Sequence, residues 1–391
     1  MPGHLYLTDA HLAVAETTRA FAEKEIRPIA AELDEAAGYP EALYRKMAGL
    51  GMAGVTVPEA LGGMGADVLT YAVVMEELSR GYSAVADHFG LVELIATLLA
   101  QYGTPAQQDR YLRPLLKAER RCAYALTEAE AGSDLAGLKT TAAKQADGSW
   151  RLDGGKLWIH NAPVADFACV LTRTDKAAGH RGMSIFIVDR DLPGYSIGRH
   201  EKKMGQRASQ VGALHFDNIR LGADSMLGPQ GRGFHIMMSV LDKGRVGIGA
   251  LALGILQAAL DASIAYAKQR RQFGKPIAAF QAVQWMVADM AKDAHAARLM
   301  IHAAAAKMDA HAQGAGERAS LECSMAKCFA ADAAMTHTVN AVQVHGGSGY
   351  IKGIEVERLM RDAKITQIYE GTNQIQRMIM ARHLLGEAAQ G

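Results

Sequence analysis

The sequence predicts a multidomain α+β chain: a helical first domain over 1–121, a β middle domain over 122–230 and a second helical domain over 231–391. Three changes of texture predict it. Apolar residues recur at helical spacing from Thr8 to Arg120, give way near Arg121 to short alternating runs rich in β-formers, and return to helical spacing at Gly231.

In the first part, Ala13, Phe21, Ile26 and Ile29 follow a helical repeat, as do Tyr71, Val74 and Leu78 within Val68–Ser79. Turn signals at Pro58–Gly65 and Gly103–Pro105 separate these runs. In the middle part, Trp150–Asp175 reads as strands around an Asp153-Gly154 turn, with further strands at Cys122–Thr127, Met183–Asp189 and Gly212–Ile219. Roughly six to eight short strands suit a small barrel or paired sheets. In the last part, Phe234, Met237, Met238 and Leu241 share a face, and long alanine-rich helices follow with little charge, as in a bundle that also packs on other subunits.

At 391 residues, 49% of them hydrophobic, the chain has enough apolar material for two or three cores. Its 42 basic and 41 acidic side chains nearly cancel, which argues against nucleic acid or an anionic membrane as the main partner. Cys122, Cys169, Cys323 and Cys328 are scattered without metal-binding spacing, so no metal is expected, and they read as buried thiols in a reducing compartment. No apolar run reads as membrane-spanning and no leader pattern opens the chain, so a cytoplasmic protein is expected, or a mitochondrial matrix one if the chain is a processed form.

Five stretches could carry chemistry. Tyr124–Ser133 (YALTEAEAGS) leaves a strand for a loop with Leu126, Thr127 and Ser133, whose small residues admit a flat or anionic ligand or merely end a strand. Lys156–Asn161 (KLWIHN) presents Trp158 and His160 on one strand face, suited to a conjugated ring or to half-buried packing. Gln269–Pro276 (QRRQFGKP) ends a long helix at a glycine, where cations complement the helix terminus or hold a pyrophosphate. The turn Gly346–Gly349 could lay amides against phosphate oxygens. Finally, Glu370 sits between Tyr369 and Gly371 at the break before a helix beginning at Thr372, either as an acid favoured in that helix's first turn or as a general base aimed into a cleft.

Taken together and in this order, these stretches resemble the flavin-dependent acyl-CoA dehydrogenases. The match runs from FAEKEIRP at Phe21–Pro28 through YGTPAQQDRYL, LTEAEAGSDLAGLKT, KLWIHN, RRQFGKP and QVHGGSGY to the highly specific RDAKITQIYEGTNQIQ. The resemblance implies a helical domain, a β-barrel and a C-terminal four-helix bundle, with non-covalently bound FAD, an acyl-CoA substrate, an electron-transferring flavoprotein as acceptor and a homotetramer. By position it implies that Tyr124, Leu126, Thr127, Ser133, Trp158 and His160 lie along the flavin. Arg270, Gln272, Phe273, Gln281, Gln343 and Gly347, with Thr372 and Gln374, would hold the dinucleotide end, partly across a dimer. Ser133, Asp242, Arg245, Tyr369 and Gly371 would contact the thioester, and Glu370 would be the catalytic base.

Some family members carry the base on the long helix instead, where this chain has Gly244. His160 stands where a Thr or Ser usually bonds the flavin, which would add a pH dependence, and Glu128-Ala129-Glu130 replaces a stiffer turn and adds a charge. The acyl chain would end against the His88–Leu98 helix and the region of Leu241; His88 and Glu93 there read as outward-facing surface residues or, if turned inward, point to a branched, cyclic or polar acyl group, and no arginine in that helix pairs a second carboxylate. Dehydrogenation of an acyl-CoA leads; an oxygen-using oxidase or a flavin-retaining acyl-CoA-binding protein are the alternatives.

Overall fold

The structure, a computed structural model, describes residues 5–386; the outermost ends of the two helical domains lie outside the described residues. Seven helices open the chain: α1 (Asp9–Phe21), α2 (Ala30–Ala36), α3 (Glu41–Gly49), α4 (Val68–Gly81), α5 (Ser83–Tyr102), α6 (Pro105–Gln107) and α7 (Arg113–Leu116). Thr8 caps α1 reciprocally with His11, and Asp67 caps α4 through the Thr70 N–H, so both starts satisfy donors that a helix cannot satisfy itself.

Eight strands follow: β1 (Cys122–Ala125), β2 (Thr141–Lys144), β3 (Trp150–His160), β4 (Phe167–Arg173), β5 (Met183–Asp189), β6 (Tyr195–His200), β7 (Val211–Leu221) and β8 (Met226–Leu227). They form one sheet in the order β6-β7-β3-β2-β4-β5-β8, with β1 parallel to β4. Its two faces are both apolar. One curls around a core of its own that includes Trp150, Leu152, Val170, Phe186 and Leu214. The other, with Phe167, Cys169, Ile185 and Ile187, packs on α5 and the start of the next helix.

That helix, α8 (Gly233–Gln269), precedes a small hairpin of β9 (Arg271–Gln272) and β10 (Lys275–Pro276), then α9 (Gln281–Ala312), α10 (Ser320–His345), α11 (Glu355–Thr366) and α12 (Asn373–Leu385). α8 packs against α4, α5, α9, α10 and α11, and so joins both helical domains. All four cysteines are buried and free.

Three expectations need correction. Strand β3 runs unbroken through Asp153-Gly154, which is an irregularity in the pairing with β7 and not a turn between strands. Helices α5 and α8 have mean hydropathies of 1.4 and 1.7 and are long and apolar enough to cross a membrane, but 83% and 72% of these windows are buried inside the protein, so the core accounts for their apolarity. In addition, α8 stops at Gln269 and not at the following glycine, because Arg270 turns extended and Phe273-Gly274, with φ of +50° and +76°, form the two-residue turn of the hairpin.

Close contact between α8 and α4 depends on missing side chains. A Cβ on Gly254 would lie 2.4 Å from the Glu76 carbonyl oxygen and 2.7 Å from the Ser79 Cβ, and the Ser79 hydroxyl donates to the Leu251 carbonyl at 2.6 Å. Gly254→Ala should therefore force the helices apart and destabilise the protein by about 1–3 kcal/mol; a denaturant midpoint measures it, and an unchanged midpoint would contradict the close-packing account.

Candidate functional site

Glu370 lies between α11 and α12, outside the first turn of α12, whose N-cap is Thr372. Its backbone is left-handed at φ +54°, a conformation that a side chain adopts only when its surroundings hold it. Those surroundings are specific. Buried Lys327, on α10, donates to the Gly371 carbonyl and to Asn373 Oδ1, each at 2.9 Å. Gln376, on the first turns of α12, donates to the carbonyls of Glu370 (3.1 Å) and Gly371 (3.0 Å). With its carbonyl held this way, the carboxylate is turned toward α8.

There it meets a position without a side chain: a Cβ on Gly244 would lie 2.8 Å from Glu370 Oε2. That oxygen is buried and has no hydrogen-bond partner. Burial raises the Glu370 pKa to about 7; Asp87 adds to the rise, and Arg245 and Lys327 oppose it. Burial likewise lowers Lys327 to about 8. Arg245 pairs with Asp242, whose other oxygen accepts from Ser320 at 2.6 Å, and its Nε is buried without a partner. Arg245, with its unpartnered nitrogen, is near enough to act on the charge of the Glu370 carboxyl.

Around this centre stand the aromatic residues. Tyr124, on β1, donates to the Met237 carbonyl of α8 at 3.2 Å. The Tyr369 hydroxyl accepts from Gln206 at 3.3 Å, and the Gln206 N–H donates to buried Asp362. Burial raises Asp362 to about 6.

The strand β3 presents the second group. Its pairing with β7 slips between Lys156 and Ile159, and Trp158 in the slip has φ +56° and is 61% exposed. Simple alternation therefore fails here: a bulge, not a shared strand face, turns the indole out. The Leu157 N–H donates to the Thr127 carbonyl at 2.9 Å, which brings the Thr127 loop beside Trp158. Ser133 is exposed in the same loop, whereas the Leu126 side chain is in the core and only its backbone can face a ligand. Glu128 is internal, so its charge is absorbed: it accepts from Lys156 Nζ (2.8 Å) and from the Lys139 and Thr140 N–H groups, pinning the loop to β3.

His160 bonds Ser209 through Nε2 at 3.0 Å and lies 3.3 Å from Asp87 through Nδ1. Burial lowers its pKa; Asp87 opposes this and Lys203 adds to it. The ring therefore takes up a proton only below the ordinary histidine range, and a pH dependence arising from it would fall on the acid side. His88 and Glu93 are buried, contrary to an outward placement. His88 stacks on Tyr44 with centroids 3.7 Å apart and is lowered to about 3 by burial, while Glu93 pairs with Lys243 at 3.0 Å.

A third group is open to solvent: Arg270, Gln272, Phe273, Gln281, Gln343, Gly347 and Gln374 are all exposed. Tyr266, one turn before Arg270, bonds Ser348 at 3.3 Å and stacks on His345, which ties the hairpin end of α8 to the Gly346–Gly349 turn. Sequence reasoning missed Lys327, Asp87, Gln206 and Gln376. Asp87-His88 interrupts an apolar run, and that pair was the one available signal; the others announce themselves only by their partners.

Comparison with known proteins gives a consistent result. Family models described as the acyl-CoA dehydrogenase N-terminal, middle and C-terminal domains match residues 8–119, 123–219 and 231–385. A 3-(aryl)acrylate reductase of Clostridium sporogenes is 41% identical over 97% of this chain and 100% of its own, and an acyl-CoA dehydrogenase of Bacillus subtilis 42% over 98% and 100%. Butyryl-CoA dehydrogenase of Megasphaera elsdenii superposes with a TM-score of 0.92 at 40% identity, covering 97% of this chain and 99% of that one. A structure described as the electron transferring flavoprotein of Acidaminococcus fermentans gives 0.93 at 40%, with 98% and 99% covered. PigA with FAD and proline gives 0.93 at 27%, with 99% and 100% covered.

Replacing Lys327 with Met should leave the Gly371 carbonyl and Asn373 Oδ1 without their donor and destabilise the protein by about 1–3 kcal/mol. The same change removes a cation that restrains the Glu370 pKa, so a carbon-13 titration of the Glu370 carboxyl should move upward from about 7; a downward movement would contradict the arrangement described.

Proposed function

This chain belongs to the acyl-CoA dehydrogenase family, a family of FAD-dependent oxidoreductases acting on acyl-CoA thioesters, and on that premise we propose that Glu370 is the base that removes the α-proton of a saturated acyl-CoA to give the 2-enoyl-CoA. The observation that carries the assignment is the Glu370 carboxyl itself: buried, one oxygen unpartnered, pKa near 7, and lying over a glycine on α8.

The residues present fit FAD. An exposed indole held at a left-handed backbone, next to the hydroxyl-bearing Thr127–Ser133 loop, is a surface on which a flat conjugated ring stacks. Tyr124, the Leu126 backbone, Thr127, Ser133, Trp158 and His160 would lie along that ring. The exposed set from Arg270 to Gln281, with Gln343, Gly347, Thr372 and Gln374, would hold the nucleotide end. When bound, FAD supplies the acceptor for the hydride that leaves the carbon next to the one deprotonated.

The protein's part is to position and to stabilise charge. Losing the α-proton puts negative charge on the thioester oxygen, and the Glu370 N–H, which makes no backbone hydrogen bond among the described residues, is a donor available for it. Arg245 and Asp242, with Tyr369, Gly371 and Ser133, would hold the thioester in reach. Burial keeps the base weakly acidic enough to accept the proton near neutral pH.

An electron-transferring flavoprotein is the proposed acceptor, supported by the likeness to a chain of the Acidaminococcus structure. A homotetramer is proposed because Phe273, Trp285, Val339, Met378 and Leu384 leave large apolar side chains exposed on the C-terminal helices and hairpin, beside nucleotide-site residues that one chain leaves open.

Mixing the FAD-loaded enzyme with acyl-CoA in the absence of air tests the reading by flavin bleaching. Glu370→Gln should slow bleaching by about 10²–10⁴-fold; an unchanged rate would sink the base assignment. In the wild type the base must be ionised, so the rate should climb as pH rises through about 7 and level off above it. Stability moves the other way. Folding raises this carboxyl above its ordinary value of 4.5, so the folded state holds the proton more tightly, and stability falls as pH rises from about 4.5 to 7. Glu370→Gln should consequently melt higher than wild type at pH 8, with the gain shrinking as pH drops toward 4.5.

A further inference from the structure

One row of α8 continues from the proposed base to a tyrosine that the reaction does not use. Gly247 lies one turn beyond Gly244, and a Cβ on it would come within 2.1 Å of the Tyr71 hydroxyl of α4. From the opposite side, a Cβ on Gly90 of α5 would lie 3.4 Å from the same hydroxyl. The phenol tip is thus wedged between two helices at the positions where each lacks a side chain.

Tyr71 is also held from the sides. Phe89 stacks on its ring with centroids 5.9 Å apart, and Lys243 Nζ lies 5.8 Å from the ring centre. That ammonium is fixed in turn by Glu93 and by the hydroxyls of Thr56 and Thr97. Such a ring has no room to swing aside. Its hydroxyl is raised well above 10.0 by burial and by the carboxylates of Glu93, Glu370 and Asp87, in keeping with its place near the base.

We propose that Tyr71 is the end wall of the acyl site and limits the substrate to short acyl groups of about four carbons. Positions three apart on a helix carry their Cβ atoms about 5–6 Å from each other. The carboxylate and the phenol each lie against one of two such positions, 2.8 and 2.1 Å from a Cβ there, so the phenol stands about one helical turn from the base and leaves room for only a few carbons. Leu94, with Cδ1 3.6 Å from a Cβ on Gly244, narrows the same passage from α5. The buried Lys243–Glu93 pair acts here as a brace behind the wall: Glu93 Oε1 holds Lys243 and Thr56, while its Oε2 is buried without a partner.

This inference rests on the proposed dehydrogenation, and its test separates the two. Saturated acyl-CoAs of four, six and eight carbons, together with a phenyl-bearing three-carbon thioester, are titrated into the FAD-loaded enzyme by calorimetry, and anaerobic flavin bleaching is followed in parallel. Wild type should bind and bleach with the four-carbon thioester at least tenfold better than with the eight-carbon one. Tyr71→Ala should reverse that order, while Tyr71→Phe, which keeps the bulk and loses only the hydroxyl, should keep the preference for four carbons over eight. If Tyr71→Ala does not retain FAD, Tyr71→Leu takes its place and should shift the optimum to six carbons. Equal binding of the four- and eight-carbon or phenyl-bearing thioesters by wild type would overturn the end wall, as would a length profile unmoved in an FAD-loaded Tyr71→Ala or Tyr71→Leu. Length-selective binding without bleaching would leave the wall standing and remove the dehydrogenation.

Discussion

The close approach of the Glu370 carboxylate to the bare backbone of α8 is the contact on which the site depends. A side chain at Gly244 would occupy the space of the carboxylate oxygen, and a relaxed backbone at residue 370 would aim that oxygen elsewhere. Both conditions are met by ordinary means: a glycine on one side, and on the other a left-handed residue whose carbonyls are tied down by Lys327 and Gln376. The buried lysine therefore positions this carboxyl through the backbone that follows it.

Charge is handled in the same economical way throughout. Glu128 pairs with Lys156, Glu93 with Lys243 and Asp242 with Arg245 within the protein, and burial lowers the pKa of both His88 and His160. Glu370 Oε2, like Glu93 Oε2, is buried without a donor, but the Glu370 carboxyl has no lysine or arginine paired directly with it among the described residues. An acid in that position is held near its own midpoint by desolvation set against two cations. The surrounding pairs matter because any one of them, if broken, would leave a second buried charge to compete for that balance.

Much of this was legible in the sequence. Period alone located the helical, β and helical stretches, since an amphipathic helix and a half-buried strand repeat differently. The segment around Glu370 could be marked as unusual, but spacing could not choose between an acid in a helix's first turn and a base in a cleft; the resemblance of the whole chain did that, and the structure places the residue outside the helix. What escaped was tertiary. Asp87, Lys327 and Gln206 take their meaning from partners far along the chain. Trp158 read as part of a regular strand because a bulge has no period, and His88 and Glu93 read as surface because polarity predicts exposure until a buried partner is known. The apolar length of α8 misleads in the opposite direction, as a helix surrounded by five others looks like one surrounded by lipid.

The glycine at 244 also constrains how such a site can change through descent. A side chain gained at 244 would meet the tip of the Glu370 side chain, since a Cβ there falls 2.8 Å from its Oε2 before any further atoms are added. The carboxylate would have to swing off the backbone of α8, and its buried, unpartnered oxygen would leave the place described above. This position can therefore gain a side chain only if the acid moves.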